Sequence, residues 1–106
     1  MVYSIQNIIF VVDYNIIFMK LNPDFIISEI ADEFVLINKN TKVRNLAHLL
    51  VLNATAKFLY ERFAGKDFTK DDLVLALTDA YGIDMERAKK GAESWLESMV
   101  NYNVLE

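Results

Sequence analysis

The sequence predicts an α+β domain in which a three-stranded antiparallel β-meander precedes three α-helices. Two patterns predict this order. β-branched and aromatic runs separated by short polar turns extend from Phe25 to Leu52, whereas apolar residues recur every three or four positions from Ala54 to Val100. The chain has 106 residues, enough for one domain, and 54% of them are apolar, so a buried core is expected.

The predicted strands are short and closely spaced, which is typical of an antiparallel meander. The first covers Phe25 to Ile30, the turn is Ala31-Asp32, and the second covers Glu33 to Asn38. A second turn at residues 38–41 leads to the third strand, Val43 to Leu52. That strand is apolar on both sides, so both sheet faces are expected to need cover, and three helices can cover only one well.

Each predicted helix follows a residue that can cap it. Asn53, Thr69 and Asp84 occupy these positions, and an acidic residue follows Thr69 three positions later, as in a capping box. Gly65 and Gly82 are expected to end the first two helices. The predicted apolar stripes are Ala56, Leu59, Tyr60 and Phe63, then Leu73, Leu77, Ala80 and Tyr81, then Ala88, Ala92, Trp95, Leu96, Met99 and Val100.

Residues 1–18 differ in composition from the remainder, residues 19–106. They are rich in Ile, Val, Phe and Tyr and contain no Lys or Arg, and Met19 directly after them resembles a natural start. The segment is therefore interpreted either as an extension from an earlier start or as an additional strand or hairpin. Polar residues such as Asp13 interrupt its apolar run, which is too short for a membrane span. We therefore expect a cytoplasmic protein without a membrane partner.

Charge and residue chemistry favour a binding protein over an enzyme. The net charge of −4 disfavours a nucleic-acid partner, because phosphate contacts need a basic surface. No cysteine is present, and the single histidine, His48, is interpreted as packed or solvent-facing. Asp71 and Asp72 fall in a helix first turn, where the helix dipole explains them. We predict no catalytic residues, no metal site and no cofactor.

Several short segments, taken together, resemble the PqqD family, which is named after coenzyme PQQ synthesis protein D. These segments are Leu52-Asn53-Ala54-Thr55-Ala56, Phe68-Thr69, Ala80-Tyr81-Gly82-Ile83-Asp84 and Trp95-Leu96-Glu97-Ser98-Met99. The resemblance covers about residues 24–106 and preserves the order and spacing of the family's elements. The chain departs from the family at Ala31, where Gly is frequent, and at Gly91, where Asp is frequent.

The resemblance implies a winged-helix-like RiPP recognition element, a module that binds the leader of a ribosomally synthesised precursor peptide. Such a module presents the peptide to a modifying enzyme, often a radical SAM enzyme, and the leader adds to the third strand beside the last helix. A vacant strand edge supports this independently, because its unpaired N–H and C=O groups can accept another strand. The expected peptide-binding residues are Arg44, Asn45, Leu46, Ala47, His48, Leu49, Lys89, Lys90, Glu93 and Glu97.

Two other functions stay open from the sequence. A winged-helix DNA-binding regulator would need a basic exposed face on its second helix, where this chain offers Lys70 among mostly acidic and apolar residues. A structural or dimerisation subunit would use the apolar surface differently, because the N-terminal segment or the sheet edge could join two copies into a homodimer.

Overall fold

The computed structural model of the chain describes residues 17–40 and 49–106, and it confirms the predicted fold class. A three-stranded antiparallel sheet with strand order β2-β3-β4 accompanies three helices. In chain order the elements are β1 (Met19–Lys20), β2 (Phe25–Ile30), β3 (Glu33–Asn38), β4 (Leu50–Leu52), α1 (Ala54–Phe63), β5 (Asp67–Phe68), α2 (Lys70–Tyr81) and α3 (Met85–Asn101). The predicted boundaries of the first two meander strands are confirmed. Of the third predicted strand, Val43 to Leu52, β4 covers the last three residues, Leu49 is described but is not part of a strand, and residues 43–48 lie outside the described residues.

The β2–β3 hairpin closes through a two-residue turn. Ile30 pairs with Glu33, and Ala31 and Asp32 between them both adopt left-handed backbone conformations, with φ of 53° and 65°. Two positive φ angles define the hairpin turn whose twist matches that of the flanking strands. Ala31 therefore holds a conformation that costs an L-residue roughly 1–2 kcal/mol.

We expect Ala31→Gly to stabilise the domain by up to about 1 kcal/mol. Glycine removes the left-handed cost, although it also gives the unfolded chain more freedom. Ala64→Gly is the matched control, because Ala64 is also exposed but has a φ of −60°. That control should lose about 0.5–1 kcal/mol. Urea unfolding of both variants measures the two changes, and a loss of stability in Ala31→Gly would contradict the strained turn.

All three helices begin at the predicted caps. The Asn53 side chain accepts a hydrogen bond from the Ala56 N–H at 2.8 Å, and the Asp84 side chain accepts one from the Arg87 N–H at 2.8 Å. Thr69 and Asp72 form a reciprocal capping box at the start of α2. The Asp72 carboxylate is thus engaged in capping, as its position in the first turn predicted.

The apolar stripes predicted for the helices match the buried residues only in part. The buried positions of α3 are Ala88, Ala92, Trp95 and Met99, whereas Val100 is 58% exposed. In α2, Tyr81 is 46% exposed and packs edge-to-face on the Phe58 ring. The spacing does not decide these positions, because apolar residues adjacent in sequence lie about 100° apart on a helix and only some of them face the core.

Gly91 lies where α3 packs closely on α2. A Cβ at this position would stand 3.3 Å from Cδ1 of Leu77, which is buried. An alanine here would require the buried Leu77 side chain to shift by a few tenths of an ångström, which opposes the gain of about 1 kcal/mol that alanine offers over glycine in a helix.

A two-stranded antiparallel sheet, β1-β5, and an isolated β-bridge connect the start of the described chain to β5 and to the C-terminus. Met19 pairs with Phe68 and Lys20 with Asp67, while Leu21 forms a bridge with Leu105. The Asn22 N–H donates to the Val104 carbonyl at 2.7 Å, and the Glu106 N–H donates to the Lys20 carbonyl at 2.8 Å. The sequence patterns did not predict this pairing, and it incorporates the chain from Met19 onward into the fold. Residues 1–16 of the N-terminal extension lie outside the described residues.

None of the helices in the described ranges, 17–40 and 49–106, combines the length and the apolarity that a membrane span requires.

Candidate functional site

The structure describes half of the predicted peptide-binding residues. Arg44, Asn45, Leu46, Ala47 and His48 lie outside the described residues. Leu49 is half-buried and directly precedes β4. The four helix residues, Lys89, Lys90, Glu93 and Glu97, are all exposed on α3.

β4 occupies an edge of the meander. It pairs with β3 through Val35–Val51 and the flanking residues, and within the described ranges no strand pairs with its other side. Leu52 faces the core and is buried, whereas Val51 on the opposite face is 52% exposed. The backbone groups on the free side of β4 are therefore positioned to pair with an added strand.

An open groove of about 640 Å³ follows the outer face of α3. Three of the predicted residues, Lys90, Glu93 and Glu97, line it, and Lys89 does not. The groove also contacts two apolar side chains of α3, Leu96 and Val100. Its remaining lining residues are Ile17, Met19, Lys70, Ser94 and Asn101. A groove of this kind offers an apolar floor with a few charged groups around it, as ligand and peptide sites commonly do.

The Lys70–Glu93 ion pair crosses one side of this groove and joins the start of α2 to α3. The hydrogen bond from Lys70 and its positive charge lower the pKa of Glu93, with a smaller contribution from Lys89. Because Glu93 is exposed, solvent screens the pair, and it contributes little to stability. Any contribution is present above the unfolded-state pKa and is lost as the pH falls through the lowered pKa.

We expect Lys70→Gln to raise the pKa of Glu93 toward its ordinary value, because the substitution removes the largest cause of its shift. A carbon-13 NMR titration of the Glu93 carboxyl measures the change. Lys57→Gln is the control, since Lys57 pairs with Glu61 at 3.0 Å and does not line the groove. An unaltered Glu93 titration in Lys70→Gln would contradict the ion pair.

Two partly buried hydrogen bonds hold the elements that position the site. The Trp95 indole Nε1–H donates to the Ala56 carbonyl at 3.2 Å, which ties α3 to the first turn of α1. The Tyr60 hydroxyl donates to the Phe25 carbonyl at 3.0 Å, which ties α1 to β2. Burial raises the pKa of Tyr60, so the hydroxyl keeps its proton at neutral pH.

Sequence reasoning missed the apolar half of the groove. Leu96 and Val100 were both placed on the apolar stripe of α3. Leu96 is half-buried and packs against the core, whereas Val100 is exposed. Their spacing of four residues beside Glu93 and Glu97 was the available signal, because i and i+4 positions share a helix face. Ile17 and Met19 carried no such signal, since their place beside α3 depends on the pairing of β1 with β5.

The described residues hold no group of three or more His, Cys, Asp or Glu side chains that could bind a metal ion. The charged side chains of the groove form an ion pair or face solvent.

The fold and the site define a class: a small α+β domain with a helix groove and with a sheet edge, β4, that no other described strand covers. The family model for coenzyme PQQ synthesis protein D (PqqD) matches residues 33–105, more than half of the chain. The chain belongs to the PqqD family, as the resemblance predicted. No curated protein and no solved structure matches it significantly.

Proposed function

We propose that this chain is a non-catalytic peptide-binding module of the RiPP recognition type. It binds the leader of a ribosomally synthesised precursor peptide in the cytoplasm and presents it to a modifying enzyme of the radical SAM class. The observation that supports this most directly is the edge of β4, with which no further strand among residues 17–40 and 49–106 pairs, in a domain of the PqqD family.

The leader is proposed to extend the meander as a further strand beside β4. Main-chain hydrogen bonds from residues 44–49 and from β4 would supply affinity that does not depend on the leader's side chains. The free side of β4 supports this placement, because the described residues provide no other strand for it. Residues 44–48 belong to the proposed site by the family resemblance.

The outer face of α3 is proposed to supply side-chain selectivity. Lys90 and Glu97 lie at the groove with opposite charges, so an amphipathic leader with both signs of charge fits better than a uniformly acidic one. Lys89 is exposed beside them and would contribute long-range attraction. Leu96 and Val100 would contact apolar side chains of the leader.

The test is an amide NMR titration with the leader of the precursor peptide that is encoded beside this chain's own gene. We expect the largest shifts at Leu49–Leu52 and at Lys90, Glu93 and Glu97. Shifts confined to α1 or to the β2–β3 turn would overturn the placement. Saturable binding to a scrambled peptide of the same composition would overturn leader recognition.

The DNA-binding alternative receives no support from α2. Its exposed side chains include Asp71, Leu75 and Asp79, and its single basic residue, Lys70, pairs with Glu93. A recognition helix needs several exposed basic or amide side chains to contact phosphates and base edges. A gel shift at low salt should therefore show no retained duplex.

A further inference from the structure

The groove on α3 has a candidate occupant within the chain itself. Ile17 and Met19 line the groove, so the described chain begins at the groove's own wall. We propose that residues 1–16 fold back along the outer face of α3 and fill this groove. The proposal concerns the isolated protein, and a leader that binds this groove would displace the segment.

The geometry permits this arrangement easily. Consecutive Cα atoms are about 3.8 Å apart, so residue 16 necessarily starts next to the groove wall formed by Ile17. α3 has 17 residues, which corresponds to a length of about 25 Å. Sixteen residues span about 24 Å as a helix and about 50 Å when extended, so the segment can follow the whole helix in either conformation.

The chemistry of the segment matches that of the groove. Residues 1–16 carry one charged side chain, Asp13, and are otherwise dominated by Ile, Val, Phe and Tyr. The charged side chains that line the groove are two basic and two acidic, namely Lys70, Lys90, Glu93 and Glu97, so their charges sum to zero. An almost uncharged apolar segment loses little by desolvation there and removes its own side chains from water.

Tethering favours this groove over other apolar surfaces. The outer sheet face also exposes Ile26, Ile30 and Val51, but only the groove is lined by the residue that directly follows the segment. A tethered segment meets an adjacent site at an effective concentration in the millimolar range. Contacts too weak to hold a free peptide therefore suffice to hold this one.

Paramagnetic NMR on the full chain tests the proposal. The chain contains no cysteine, so Ser4→Cys provides a single attachment point for a spin label. We expect amides of Glu93, Glu97 and Val100 to lose most of their intensity, and those of Ile26 and Ile30 to keep theirs. Loss confined to the sheet face, or loss nowhere, would overturn the proposal.

Three further samples identify the source and the location of the contact. In a mixture of isotope-labelled protein without spin label and unlabelled protein with it, α3 amides should keep their intensity, because the contact is within one chain. Broadening in that mixture would mean a second copy and would overturn the proposal. Val100→Lys should release the segment and restore the α3 signals, whereas Leu75→Lys, equally exposed at 58%, should not.

Discussion

Phe68→Ala is expected to destabilise the domain by about 3–5 kcal/mol, the range for emptying a fully buried phenylalanine site. Phe68 is completely buried, and its ring lies 5.4 Å from that of Phe63 and 5.9 Å from that of Trp95. Its backbone pairs with Met19, so the same residue also connects the N-terminal strand to the helices. A loss of this size is a large fraction of the 5–15 kcal/mol that stabilises a typical domain.

Urea unfolding followed by the fluorescence of Trp95, the single tryptophan, measures this loss. Leu75→Ala is the control, because Leu75 is 58% exposed on α2 and alanine favours a helix. The control should remain within about 0.5 kcal/mol of the parent. A Phe68→Ala variant as stable as the control would contradict the core position of Phe68.

Val100→Ser is expected to weaken leader binding by up to about 20-fold, and by less to the extent that residues 1–16 compete with the leader for the same groove. Full burial of a valine side chain is worth about 1.5–3 kcal/mol, and 58% of Val100 is still exposed for a ligand to cover. Serine and valine have similar helix propensities, so α3 itself should be little affected. The measurement is isothermal titration calorimetry with the same leader peptide.

Leu75→Ser is the matched control for binding, because Leu75 is an equally exposed apolar residue on a different helix and does not line the groove. Its affinity for the leader should equal that of the parent. Equal affinities for all three proteins, together with α3 amides that do not shift in the leader titration, would exclude the α3 groove from the site, and strand addition at β4 would then have to supply the affinity alone.

The individual elements were predictable from the sequence because their signals are local. Asn53, Thr69 and Asp84 cap helices through side chains that bond to backbone groups three residues away, so the chain near each cap contains the necessary information. The β2–β3 turn is equally local, since it spans two residues. Family membership also followed from the order of such signals and is confirmed by the family match.

Only the charged lining of the candidate groove was predictable from the sequence, and its apolar lining was not. Lys90, Glu93 and Glu97 follow from charge at helical spacing and do line the groove. Val100 was assigned to the core because an apolar residue beside Met99 fits a buried stripe equally well. Periodicity indicates that a helix has an apolar side, but it does not indicate how wide a strip the neighbouring elements cover.

The sequence by itself determined the fold class, the helix starts, the tight turn and the absence of cysteine chemistry. Only the tertiary structure decided that Met19–Lys20 pairs with Asp67–Phe68, that Leu21 meets Leu105, and that Gly91 faces Leu77. The reason is the distance along the chain. Caps and turns are satisfied within a few residues, whereas these contacts join separate segments and form only when the whole core brings them together.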